Sequence, residues 1–148
     1  MKKFFFTLEA VAKYKATVEK KQKADLARVM TRLNRLYEER DLVLQALADN
    51  AASIRLTQEK QQNMVRELIR HDNYQTYLLE WQDDVRELIL SAEAEKKRIQ
   101  ALLIVTMKEI KTLDRLRLEQ YQAYLAEVRQ EENLVIGDII AFRAMHNA

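Results

Sequence analysis

The sequence predicts an all-α protein, a long antiparallel two-helix coiled-coil hairpin, and two observations support this prediction. The chain has 148 residues, with no proline and a single glycine, Gly137. These residues disfavour helices most, because proline lacks the backbone N–H and glycine has the freest backbone. Apolar side chains also recur at alternating steps of three and four residues in both halves of the chain, the spacing of a coiled-coil seam. We expect one coiled-coil domain spanning residues 1–148.

The first helix is predicted over residues 8–70. Thr7 can cap its start, Phe6 and Val11 are spaced for a hydrophobic staple, and Glu9 suits the positive end of the helix dipole. One extra four-residue step, between residues 22 and 26, indicates a stutter. The predicted seam comprises Leu8, Val11, Lys15, Val18, Gln22, Leu26, Val29, Leu33, Leu36, Arg40, Val43 and Leu47.

The chain reversal has two candidates, which together place it somewhere in residues 57–73. In the first, His71, Asp72 and Asn73 form the turn, and Asp72 caps the second helix. In the second, the turn lies in the polar run 57–63 and Asn63 is the cap. The first is favoured because it gives arms of about equal length, whereas the second leaves the C-terminal helix overhanging.

The second helix is predicted over residues 74–145, again with steps of mostly three and four residues. Several of its seam positions are polar or small, so the seam is imperfect. The predicted seam comprises Tyr74, Leu78, Trp81, Val85, Leu88, Ala92, Glu95, Ile99, Leu102, Thr106, Ile110, Leu113, Leu116, Tyr121, Tyr124 and Val128.

The composition argues against an enzyme. The chain has two histidines, His71 and His146, and no cysteine, so the usual zinc ligands cannot assemble. One glycine is too few for a phosphate-binding loop. We therefore expect no catalytic residues, no metal site and no cofactor.

Seven lysines and two glutamates lie within residues 2–23, which makes this stretch basic. Only Tyr14 is interleaved with the lysines, whereas nucleic-acid binding would favour several aromatic side chains. We expect a solvated helix face and no nucleic-acid partner. No apolar run approaches the roughly 20 residues of a membrane span, and Glu9 interrupts the apolar start. These features predict a cytoplasmic protein.

Two groups of side chains are candidates for binding a partner. Tyr74, Tyr77 and Trp81 share one broad helix face, and either pack in the seam or form a binding surface. Tyr77 lies off the seam, and tyrosine is enriched in binding hot spots. The second group covers about two thirds of the helix circumference, more than one seam needs, and comprises Leu134, Val135, Ile136, Ile139, Ile140, Phe142 and Met145.

Either the N-terminal phenylalanines or a partner protein covers this second group. A hairpin is expected to bring Phe4, Phe5 and Phe6 beside Ile136, Ile139, Ile140 and Phe142. The same end would then combine an apolar surface with lysines and Arg143.

Three stretches resemble the flagellar export protein FliJ family. Residues 3–15, KFFFTLEAVAKYK, are similar to that family's start, Phe-x-Phe-x-Leu-Glu-x-(apolar)-x-x-Tyr-(basic). Residues 73–78, NYQTYL, resemble its aromatic opening of the second arm. The stretch from KTLDRL at residues 111–116 to Glu131 is similar to its C-terminal pattern. One departure is that the family's Asp-Glu-Ile is replaced here by GDII at residues 137–140.

The resemblance implies a non-enzymatic, cytoplasmic part of the flagellar type III export apparatus. Family members resemble the rotor stalk of ATP synthases, dock into the export ATPase ring, promote its assembly and contact the export gate at the inner face of the cell membrane. Some escort export chaperones, so a chaperone escort or a general coiled-coil adaptor is the alternative. We expect the ring surface to comprise Phe4, Phe5, Phe6, Ile136, Ile139, Ile140, Phe142 and Arg143. We expect the gate surface to comprise Tyr74, Tyr77 and Trp81.

Overall fold

A computed structural model describes residues 2–60 and 64–147 of the chain. Helix α1 spans Glu9–Lys60 and helix α2 spans Met64–His146. The two helices pack against each other, and no strand occurs among the described residues. The predicted all-α two-helix hairpin is therefore confirmed.

The favoured turn is wrong, and so are the predicted helix ends at residues 70 and 74, whereas α1 ends and α2 begins within the predicted range 57–73. His71, Asp72 and Asn73 lie inside α2, since α1 ends at Lys60 and α2 begins at Met64. The predicted cap Asn63 lies outside the described residues. Asn and Asp cost a helix only a few tenths of a kcal/mol more than most residues, so packing between the helices decides where they end.

The chain divides into two compact units. The terminal unit comprises Met1–Lys21 and Leu103–Ala148, and the central unit comprises Gln22–Leu102. In each unit, a segment of α1 packs antiparallel to a segment of α2.

The core of the central unit follows a seven-residue repeat on both helices. Buried positions at this spacing on α1 are Val29, Leu36, Val43, Asn50 and Thr57, with Leu33 buried between two of them, and those on α2 are Leu78, Val85, Ala92 and Ile99. Ile89 is also buried, whereas the predicted seam residue Leu88 is exposed. The buried positions of α2 are four residues apart from Val85 to Ile89 and three apart from Ile89 to Ala92, so Ile89 and not Leu88 faces α1.

Asn50 is a polar side chain in this buried seam. Its side-chain amide donates hydrogen bonds to the His71 carbonyl oxygen at 3.1 Å and to Gln75 Oε1 at 2.9 Å, and its Oδ1 lies 3.0 Å from His71 Nδ1. A buried polar group left without partners costs about 1–3 kcal/mol. Since shifting the helices would remove these partners, Asn50 favours a single register, as a seam asparagine does in other coiled coils.

Hydrogen bonds across the helices flank the apolar seam. Trp81 Nε1 donates to Glu39 Oε1, and the Tyr37 hydroxyl donates to Glu93 Oε1, both at 2.8 Å. The Tyr37–Glu93 bond raises the pKa of Tyr37 above its ordinary value. Protonated Tyr37 is thus favoured in the folded state, so its contribution to stability is present below the ordinary pKa and is lost as the pH rises through the raised one.

In the terminal unit, the N-terminal segment before α1 packs on α2. Phe6 is buried, and the Arg117 guanidinium lies over its ring, 5.0 Å from the centroid. Thr7 hydrogen-bonds Gln120 across the helices. Tyr124 donates its hydroxyl to the Lys2 carbonyl oxygen at 2.8 Å. These contacts place residues 2–9 against residues 117–124.

Candidate partner-binding surfaces

The C-terminal segment, residues 129–147, lies beyond the stretch of α2 that carries half-buried or buried side chains. It is helical to His146, and every described side chain in it is exposed. It has large apolar side chains on several faces of the helix: Leu134, Val135, Ile136, Ile139, Ile140, Phe142 and Met145. Exposed apolar groups this closely spaced are typical of a surface that another molecule covers.

The expectation that the N-terminal phenylalanines lie beside this segment is wrong. Phe4 packs instead against Tyr121 and Tyr124, with ring centroids 5.1 and 5.6 Å apart. The reason is the position of the reversal. In an antiparallel pair, moving the reversal by one residue along the chain moves the position on α2 that faces a given N-terminal residue by two residues. With the reversal closer to the N-terminus than favoured, α2 extends past its N-terminal partners.

The residues predicted for the ring surface therefore separate into two groups. Phe6 is buried and Phe4 is half-buried, which makes them packing residues of the terminal unit, whereas Phe5 is 76% exposed. The C-terminal members all lie on the exposed segment: Ile136, Ile139, Ile140, Phe142 and Arg143. Only this second group forms a continuous accessible surface.

Phe142 has an aromatic neighbour on the same segment. Its ring centroid lies 4.1 Å from that of His146, one helical turn away, with the planes 32° apart. The pair widens the apolar surface toward the end of α2.

The second candidate surface is an aromatic row on α2. Tyr74 and Tyr77 have ring centroids 6.3 Å apart, and Tyr77 and Trp81 have centroids 6.4 Å apart. Tyr74 is exposed, so its assignment to the seam is wrong, and the prediction that Tyr77 is exposed is confirmed. Trp81 is half-buried against the core and bonds Glu39, so the accessible part of the row is the two tyrosines.

Neither surface has the ligands of a metal site. Within residues 2–60 and 64–147, no group of three or more His, Asp or Glu side chains is placed to hold a metal ion. In the same residues, neither helix contains a stretch sufficiently long and apolar to cross a bilayer. Both surfaces offer exposed apolar and aromatic side chains, which are the side chains that protein interfaces commonly use.

No family model, curated protein or solved structure matches the chain.

The sequence analysis did not anticipate one polar contact inside the seam. The hydrogen bonds among Asn50, His71 and Gln75 connect the two helices inside the seam. The sequence does indicate this position, because Asn50 comes seven residues after Val43 and therefore lies on the same helix face as the buried seam residues.

Proposed function

We propose that the chain is a non-enzymatic component of the flagellar type III export apparatus, a coiled-coil stalk that docks into the export ATPase ring through its C-terminal segment and couples the ring to the export gate. The resemblance of residues 3–15, 73–78 and 111–131 to the FliJ family supports the proposal. The structural observation that carries it is the exposed apolar helix of residues 129–147. On this proposal, the protein acts in the cytoplasm, at the membrane face through its partners.

The physical basis of ring docking is burial of the apolar side chains. Removing apolar surface from water contributes about 25 cal/mol per Å², and Ile140 and Phe142 each have 62% of their surface exposed. Arg143 would mainly orient the segment, because exposed charges affect association more than net affinity. A helix that already extends free of its partner can enter a ring without unfolding the hairpin.

Wild-type protein and the purified export ATPase test this proposal. We expect the chain to capture the ATPase in a pull-down and to raise its turnover of ATP. Absence of both capture and stimulation would refute ring docking. Capture of an export chaperone without any effect on turnover would instead favour the chaperone escort.

Tyr77→Ala is expected to weaken binding to the gate protein about tenfold, because exposed tyrosines contribute strongly at interfaces. Tyr77 is 59% exposed, so its loss should leave the helices intact. Affinity for the purified gate component is the measurement, and Leu79→Ala, an exposed position on the same helix, is the control. Equal affinity of the Tyr77→Ala variant and the wild type would show that the aromatic row is not the gate surface.

A further inference from the structure

The C-terminal segment has a stripe of four side chains with symmetric spacing and opposite charges at its two ends. Glu132, Ile136, Ile139 and Arg143 are spaced by four, three and four residues. At about 100° per residue, these four positions fall within roughly 60° of the helix circumference. All four side chains are exposed. The stripe therefore has an acid at one end, a base at the other and two isoleucines between them.

Antiparallel pairing of two such stripes matches every position. Glu132 of one copy faces Arg143 of the other, and Ile136 faces Ile139; two-fold symmetry then repeats both contacts. Parallel pairing would place Glu132 opposite Glu132 and Arg143 opposite Arg143, which is repulsive. The charge pattern thus selects the antiparallel arrangement.

Among the described residues, neither the Glu132 nor the Arg143 side chain forms an ion pair. Each is consequently available to another molecule, and each has its complement on the same stripe.

We propose that a second copy of this chain covers this stripe of the C-terminal segment, as an antiparallel helix pair with its two-fold axis between Gly137 and Asp138. This inference goes beyond the proposed function and does not depend on it. The segment is short, and its interface would be smaller than that of a typical stable complex. We therefore expect a weak dimer whose population rises with protein concentration.

Charge reversal tests both the surface and its orientation. Glu132→Arg alone and Arg143→Glu alone each place like charges at both symmetry-related contacts, so each variant should dimerise at least about tenfold more weakly than the wild type. An equimolar mixture of the two variants restores both contacts, since one chain then has a base at both ends of its stripe and the other has an acid at both ends. Sedimentation velocity over a concentration series measures all three samples.

Recovery in the mixture separates this proposal from a folding defect, because misfolded chains would not regain affinity when mixed. Gly137→Ala is the control: Gly137 lies off the stripe, and an added Cβ meets nothing within 4 Å. That variant should dimerise at least as well as the wild type.

Three results would overturn the proposal: a wild-type chain that stays monomeric at the highest concentration, charge variants that dimerise normally, or a mixture that fails to recover. None of these results affects ring docking, which is measured by ATP turnover.

Discussion

If the chain docks into the ring as proposed, Ile140→Asp is expected to abolish stimulation of the export ATPase while leaving the fold intact. Ile140 is 62% exposed, so a carboxylate there remains in water in the free chain. In the docked complex the same carboxylate would be buried without a partner, a penalty of several kcal/mol. Phe142→Asp should act in the same way, for the same reason.

ATP turnover with each variant is the measurement, and circular dichroism confirms that the helices persist. Leu90→Asp is a matched control, because Leu90 lies on the same helix and is 61% exposed but belongs to the central unit. We expect it to stimulate normally. Normal stimulation by folded Ile140→Asp and Phe142→Asp variants would place the ring contact elsewhere on the chain.

Leu78→Ala is expected to lower the free energy of unfolding by about 3 kcal/mol. Leu78 has no exposed surface and lies in the seam of the central unit. Truncating a buried leucine loses its transfer free energy and leaves a cavity, at a cost of about 2–5 kcal/mol. Stabilities of natural domains are only about 5–15 kcal/mol, so this one change removes a large part.

Leu79→Ala makes the same chemical change at the next residue, which is 44% exposed. We expect it to cost less than about 1 kcal/mol, because nearly half of its surface is already in water and it lies outside the buried seam. Urea denaturation followed by circular dichroism compares the two variants with the wild type. Equal destabilisation by both would mean that position 78 is not a seam residue.

The seam of α1 was largely predictable from the sequence. Val29, Leu33, Leu36 and Val43 are buried as expected, because apolar spacing on a helix directly sets which side chains share a face. Leu88 was wrongly assigned to the seam because its neighbour Ile89 is equally apolar. Which of the two is buried depends on the packing of the partner helix and not on the sequence of α2 alone.

The reversal was not predictable by the same reasoning. Local propensities separate the two candidate turns by tenths of a kcal/mol, whereas the register depends on distant pairs such as Asn50 and Gln75. This one error also caused the misplacement of Phe4 and Phe6. The exposure of Tyr77 was predictable because it depends on which face of the helix the side chain occupies, and not on the register. The exposure of Ile140 was not, because it depends on how far α2 extends past the N-terminal segment.

The hydrogen bond from Trp81 to Glu39 gives the protein a built-in optical probe. Trp81 is the only tryptophan in the chain, and its indole N–H bonds a carboxylate on the opposite helix. Separating α1 from α2 in the central unit would break that bond and expose the half-buried ring to water. Intrinsic fluorescence excited at the indole band would therefore report whether the hairpin stays closed when a partner binds, without any added dye.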